Sequence, residues 1–325
     1  MPLPAPPVQP PLPQFPVRLE PPALGPFLAG NTGVRGFTAR DSGKPGPHVA
    51  LVALMHGNEL AGAIVLERLL RGGFVPLRGR LTCGFANLDA FARFDPRQPT
   101  ASRFLDEDMN RLWDEAVLDG PRRSSELGRA REIRPLIDTV DVLLDLHSML
   151  WPSEPLLLSG PAARGRALAL ALGVPELVVA DPGHATGRRM IDYTPFTDAT
   201  GRSAANLVES GLHWEMQTVE MALACVAALL RHTGLARDHP LLPSPPGRPT
   251  RQRVAEVTDA VTATTSGFAF VQPFRGGDVV ARRDTLIALD GTTEIRTPYD
   301  DCLLVMPSLR PSRGHTAVRL ARLLA

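Results

Sequence analysis

The stretch His48-Val49-Ala50-Leu51-Val52-Ala53-Leu54-Met55-His56-Gly57-Asn58-Glu59 decides how the rest of the chain is read. After its first histidine it is continuously apolar to Met55, the pattern of a strand covered on both faces. The run then stops at a histidine, a glycine and two polar residues. Residues 60–70 carry apolar side chains at helical spacing until Gly72-Gly73 closes them. A buried strand, a polar turn and an amphipathic helix make the first half of a βαβ unit.

Outward from that unit the alternation continues. Residues 80–87 (RLTCGFAN) read as a strand, 126–138 as a charged helix, and 140–146 (VDVLLDL) as a buried strand running into His147. Short strands at 156–159 and 177–180 flank a helix at 163–172. Residues 206–209 (NLVE) form a strand ending in a carboxylate, and a helix over 218–233 follows. Such alternation predicts α/β layers around a mainly parallel or mixed sheet. Residues 239–250 (HPLLPSPPGRPT) are a proline-rich boundary, beyond which turns at Gly276-Gly277, Asp290-Gly291 and Pro298 separate short strands. The expected organisation is an α/β unit over 27–245 and a smaller all-β domain over 250–325. The first 26 residues, with PLPAPPVQPPLPQFP, cannot sustain a ladder or helix and read as a disordered or polyproline arm.

Composition narrows the function classes. The 325 residues are 44% hydrophobic and 21% charged with a formal net charge of +1, so no global field recruits nucleic acid or an anionic membrane. The basic pairs Arg122-Arg123 and Arg188-Arg189 are short, lack aromatic partners and read as solvated surface. Cys83, Cys225 and Cys302 are odd in number and widely spaced, which excludes a disulfide framework or a Cys-x-x-Cys metal site. The proline-broken N-terminus lacks a signal-peptide pattern, and no apolar run is long enough to span a bilayer, so the expected location is the cytoplasm.

In an open α/β sheet, sites gather at the carboxyl ends of strands. His56 and Glu59, His147, and Glu209 all follow or end predicted strands and can therefore converge. Two imidazoles and a carboxylate are a common catalytic zinc set with one position left open. Each piece also has a plainer reading. A histidine after a strand is often structural, and Asn58 and Glu59 suit a helix cap and first turn. Arg103 and Arg111 lie in RFLDEDMNRLWDE, which also fits a solvated charged face. Glu209 ends an apolar strand and needs a partner if buried; Glu215 is its nearest rival. His184, His213 and Trp214 stay outside the catalytic set.

The ordered set His56-Gly57-Asn58-Glu59, Asn87, Arg103, Asp108-Met109-Asn110-Arg111, Asp145-Leu146-His147-Ser148 and Glu209-Ser210-Gly211 resembles the succinylglutamate desuccinylase/aspartoacylase family, within the zinc carboxypeptidase superfamily. The resemblance runs from about residue 30 to 325. It implies a zinc-carboxypeptidase-like, mixed-sheet α/β sandwich followed by a smaller C-terminal all-β domain. It implies one zinc ion per chain, held by His56, Glu59 and His147. Glu209 then looks like the general base, and Arg103 like the group that polarises the scissile carbonyl. Asn110 and Arg111 look like the grip on a substrate carboxylate. The chain departs from the pattern in 303–307 (LLVMP), which lacks an expected tyrosine; its two tyrosines are Tyr193 and Tyr299. For a second substrate arginine it offers Arg188, Arg189 and Arg202. The implied activity is zinc-dependent hydrolysis of the amide bond of a small N-acyl amino acid or related carboxylate-bearing amide. A metallocarboxypeptidase is the alternative, and a non-catalytic binding protein is disfavoured because binding needs no general base. The expected partner is a small-molecule carboxylate substrate; no reading of oligomeric state follows from the sequence.

Overall fold

The apolar run at the start of the argument is a strand, His48–Ala53, buried along its whole length. Its side chains serve two cores in alternation: Val49, Leu51 and Ala53 face one, Ala50 and Val52 the other. The computed structural model describes residues 15–184, 186–245 and 251–324. Among these residues the strands are β1 (Phe37–Asp41), β2 (His48–Ala53), β3 (Arg80–Phe85), β4 (Val142–Met149), β5 (Leu156–Leu158), β6 (Leu177–Ala180) and β7 (Ala204–Leu212). They continue as β8 (Arg253–Thr262), β9 (Phe268–Phe270), β10 (Val279–Val280), β11 (Leu286–Asp290), β12 (Thr293–Arg296), β13 (Cys302–Val305) and β14 (Thr316–Leu323).

Eleven of the described strands form one mixed sheet, in the order β1-β3-β2-β4-β7-β5-β6-β8-β14-β13-β10. The strands β3, β2, β4 and β7 run parallel at its centre. The helices Leu60–Arg71, Ala163–Leu172 and Met216–His232 cover one face, and Ser125–Ile137 covers the other. This is the layered α/β arrangement around a mixed sheet expected from the alternation, and the sandwich that the resemblance implied. A second, antiparallel sheet of three described strands, β12-β11-β9, completes the C-terminal part.

Two features differ from the sequence reading. All assigned elements after residue 253 are strands, yet they do not stand apart: β8 pairs parallel with β6, so the backbone ladder crosses the proline-rich boundary. The proline-rich arm also ends earlier than residue 26. Residues 1–14 lie outside the described residues, but Leu19 and Leu24 are buried in the core. Phe15 stacks edge-on against Trp151 and Trp214, with ring centroids 5.5 and 6.3 Å apart. Prolines forbid a ladder, but they do not forbid apolar side chains between them from packing. Among the described residues, no helix is long and apolar enough to cross a membrane.

Candidate functional site

β2 ends in a left-handed turn at Leu54 (φ 56°), an uncommon conformation for a residue with a side chain. The turn swings His56 and Glu59 over the end of the sheet, at the start of the helix Leu60–Arg71. Gly57 allows the close approach this requires: a Cβ there would sit 2.4 Å from backbone atoms of Ala90 and Phe91. Glu59 occupies the N-cap position, yet its side chain makes no capping hydrogen bond. It turns instead toward two imidazoles. Glu59 Oε1 lies 2.7 Å from His56 Nδ1, and Oε2 lies 2.9 Å from His147 Nδ1. The backbone N–H of Ser148 also donates to Oε2, at 3.2 Å.

His147 arrives on the neighbouring strand β4. Asp145 precedes it by two residues and therefore shares its face, with Oδ2 2.9 Å from His147 Nε2. On the other side, Asp108 Oδ1 stands 2.9 Å from His56 Nε2. Each ring thus presents Nδ1 to the shared centre and Nε2 to an outer carboxylate, the arrangement that orients metal-binding histidines. One ligand atom each from His56, Glu59 and His147 fits within 4.8 Å of the others, and all three residues are buried. Imidazole and carboxylate donors suit a divalent ion of the zinc type. Burial alone would raise the Glu59 carboxyl, but the charges of His56 and His147 outweigh it and hold it well below the ordinary range. Burial also opposes the His147 imidazolium, while Asp145 and Glu59 hold its pKa well above the ordinary value. A buried carboxylate between two such rings could hold one metal ion.

Glu209 sits beside His147 through register, since β4 and β7 pair in parallel with His147 opposite Glu209. Its Oε2 is buried and has no hydrogen-bond partner. Burial pushes its carboxyl up to about 8, against the charge of His147 and with that of Glu59. Glu215 lies elsewhere, at the start of the helix Met216–His232, paired with Arg18 at 3.3 Å.

The charged segment 103–115 wraps the outer edge of the site. Gly57 N donates to Arg103 O, and Glu126 accepts from the backbone N–H groups of Leu105, Asp106 and Glu107. Asn87 donates to the same Glu126 at 3.1 Å. Held this way, Arg103 places Nη1 3.3 Å from Glu59 Oε1 and Nη2 2.9 Å from His56 Nε2. Asn110 points Nδ2 at His147 Nε2, 3.5 Å away, while its Oδ1 accepts from Met190 N. Arg111 is largely buried, 3.7 Å from Asp108, and burial lowers its guanidinium to about 10 despite that carboxylate.

The other candidates fall into place differently. Arg189 corrects the reading of its pair as solvated surface: it is 1% exposed, bidentate to Asp192 at 2.6 and 3.0 Å and bonded to Asp181 at 2.8 Å. Its neutralising aspartates lie three residues on and eight residues back in the chain. Arg188 is half-exposed beside Asp114, and Arg202 is exposed. Tyr193 is spent on Asp138 and Arg134, and Tyr299 on Thr258. Sequence reasoning assigned no role to Asp108, Asp145 or Glu126. The period of two along β4 was the available signal for Asp145; nothing local marked Glu126.

Comparison with known proteins follows this geometry. Residues 45–169 match the family model of the succinylglutamate desuccinylase/aspartoacylase catalytic domain. No curated protein matches the chain. Among solved structures, a succinylglutamate desuccinylase from Vibrio cholerae superposes with a TM-score of 0.66 at 17% identity, covering 89% of this chain and 85% of that one. The succinylglutamate desuccinylase from Chromobacterium violaceum gives 0.64 at 18%, covering 90% and 89%. Murine aminoacylase 3 gives 0.62 at 16%, covering 86% and 96%. At these identities the structural likeness speaks for the fold. Residues 45–169, which hold the His56, Glu59 and His147 cluster, are therefore the part of the chain that resembles a catalytic domain of the succinylglutamate desuccinylase/aspartoacylase family.

Proposed function

We propose that the chain is a zinc-dependent deacylase that hydrolyses the amide bond of a small N-acyl amino acid or related carboxylate-bearing amide. The observation that carries this reading is the unpartnered Glu209 carboxylate beside the His56, Glu59 and His147 cluster. A binding protein has no use for a buried, unsatisfied acid next to a metal-type site, because leaving it unsatisfied costs free energy.

In this reading His56, Glu59 and His147 hold one zinc per chain. When bound, zinc supplies Lewis acidity, which polarises a carbonyl and makes water a stronger acid. The remaining work falls to the chain. Glu209 Oε2 accepts a proton from the attacking water as its oxygen bonds to the carbonyl carbon, then returns it to the departing nitrogen as the C–N bond breaks. Arg103, beside Glu59 and His56, donates to the oxygen that gains charge. Arg111, with Asn110 beside it, offers a planar fork to the substrate carboxylate. Residues 27–245 supply all these groups.

The test is metal analysis together with a panel of N-acyl amino acids set beside free and C-terminally blocked dipeptides. About one zinc per chain and release of free amine from N-acyl amino acids are expected. If zinc-loaded protein cleaves none of the N-acyl compounds, the reading fails. Cleavage confined to dipeptides with a free carboxylate makes the enzyme a carboxypeptidase.

A further inference from the structure

The chain leaves β7 through a turn that touches both halves of the His56, Glu59 and His147 cluster. Gly211 (φ 138°) opens it, and a Cβ there would meet Thr218 Oγ1 at 2.8 Å, the hydroxyl that donates to Leu212 O at 2.6 Å. Two buried residues come after Leu212, His213 and Trp214, and the proposed chemistry uses neither. His213 N donates to Met149 O at 2.7 Å, and its Nδ1 lies 2.7 Å from Ser148 Oγ. Both contacts fall where the β4–β7 register shifts between His147 and Met149. An irregularity of this kind re-aims the side chains beside it. Here it carries His147 and brings Ser148 N to Glu59 Oε2 at 3.2 Å.

Trp214 reaches the other half. Its Nε1 donates to Asn58 O at 2.9 Å, and Asn58 lies between His56 and Glu59 in the chain. Arg18 N donates to Trp214 O at 3.1 Å, and the rings of Phe15 and Phe94 stand 6.3 Å from the indole. Trp214 also holds φ 61°, a conformation that a residue of its size keeps only where its surroundings enforce it. Packing alone accounts for the buried rings. It does not account for two adjacent side chains that each aim a polar atom at the neighbour of a cluster member: Ser148 follows His147, and Asn58 precedes Glu59.

We propose that His213 and Trp214 are positioning residues that hold His147 at a fixed distance from His56 and Glu59, and so set how tightly the site keeps its metal ion. This rests on the zinc reading of that cluster. The β2–β4 ladder pairs Ala53 with Leu146 and ends there. His56, Glu59 and His147 lie past that last rung, where the ladder no longer sets their spacing, and the His213-Trp214 pair bridges the gap from the end of β7. Metal–ligand distances tolerate an error of only about 0.2 Å. Partners one step removed from the ligands typically change metal affinity by about ten- to a hundredfold when lost.

The experiment measures the Zn2+ dissociation constant of the full chain by chelator competition. The thermal midpoint of the metal-free protein and the visible spectrum of the Co2+ form are recorded beside it. Trp214→Phe keeps a buried ring and loses the indole N–H, and it should bind Zn2+ about tenfold more weakly or worse. His213→Leu should weaken binding similarly, while His213→Asn, whose amide can replace Nδ1 toward Ser148, should stay within about threefold of wild type. The Co2+ spectra of Trp214→Phe and His213→Leu should differ from that of wild type, because the ligand geometry has changed. A role in packing alone would lower the metal-free midpoint and leave both metal readouts unmoved. Zn2+ affinity within about twofold of wild type in folded Trp214→Phe and His213→Leu therefore overturns the proposal and leaves the zinc reading intact. If Trp214→Phe does not fold, the two His213 variants decide, and equal weakening by leucine and asparagine overturns the role of His213. Wild-type protein that takes up no Zn2+ overturns the zinc reading and the positioning role together.

Discussion

Gly57 and Glu209 show how much rests on single side chains. At Gly57 even a methyl group meets backbone on two sides, within 2.6 Å of Ala90, Phe91 and Ser102 atoms. Backbone cannot retreat as a flexible side chain can, so Gly57→Ala must displace either the His56-to-Glu59 turn or the segment carrying Arg103. We expect it to reduce bound zinc and to lower the thermal midpoint by several degrees, equivalent to about 1–3 kcal/mol of overpacking. Normal metal content in that variant would remove the steric argument. Glu209→Gln is the complementary case. It keeps the shape and removes the proton acceptor, so kcat should fall by about a hundredfold or more while zinc content holds. Wild-type turnover by the glutamine variant would transfer the base role to another group.

At the scale of elements, registry and edge packing do the organising. β4 and β7 run in parallel with His147 opposite Glu209, and two residues back along β4 lies Asp145. At the opposite end of the sheet β2 begins with His48, whose ring nitrogens lie 3.0 Å from Thr139 O and 2.8 Å from Thr82 Oγ1. Burial lowers this imidazole below its ordinary value of 6.5, more than the Thr139 carbonyl raises it. The unfolded chain therefore takes up the proton first as pH falls, and stability present above about pH 6.5 is lost on acidification. His48→Gln lacks that titration, so its unfolding midpoint should change less than wild type between about pH 7.5 and 5. Parallel curves for the two proteins would count against it. The N-terminal segment is a second such element. Arg18 N donates to Trp214 O, and Trp214 Nε1 donates to Asn58 O in the His56-to-Glu59 turn. Leu19, next to Arg18, is buried in the core, and Leu19→Ala should cost about 2–5 kcal/mol in chemical unfolding. A loss below about 0.5 kcal/mol would mean the segment is loosely held.

For the molecule as a whole, the notable device is the buried ion network that spans the junction between the α/β layers and the C-terminal strands. Asp181, just after β6, lies between Arg189 and Arg319, and Arg319 belongs to β14. Arg189→Met leaves Asp181 and Asp192 without their shared guanidinium, and removing one member of a buried pair typically costs about 3–5 kcal/mol. Denaturant unfolding should show that loss; a stability unchanged from wild type would make the network dispensable. The continuous ladder from β6 through β8 to β14 works with this network.

The sequence by itself did not mark the edge strand β1 or the separate C-terminal strands; it marked the buried strands β2 to β7, the long helices beside them and the identity of the clustered donors. Those are encoded locally: an apolar run of a given length, a helical period, a histidine and a glutamate three residues apart at a strand end. It also pointed to His147 and Glu209, because both close apolar runs in the sequence, although β4 and β7 continue past them. Tertiary structure decided what distance in the chain conceals. Asp108 and Asp145 back the two imidazoles, Glu126 anchors the arginine segment, Arg189 is interior rather than solvated, and Arg319 pairs with Asp181 from the last strand. The proline-rich start was legible as lacking a ladder, while the packing of Phe15, Leu19 and Leu24 depended on surfaces made by residues far along the chain. Burial and charge pairing are properties of neighbours in space, and only folding assigns those neighbours.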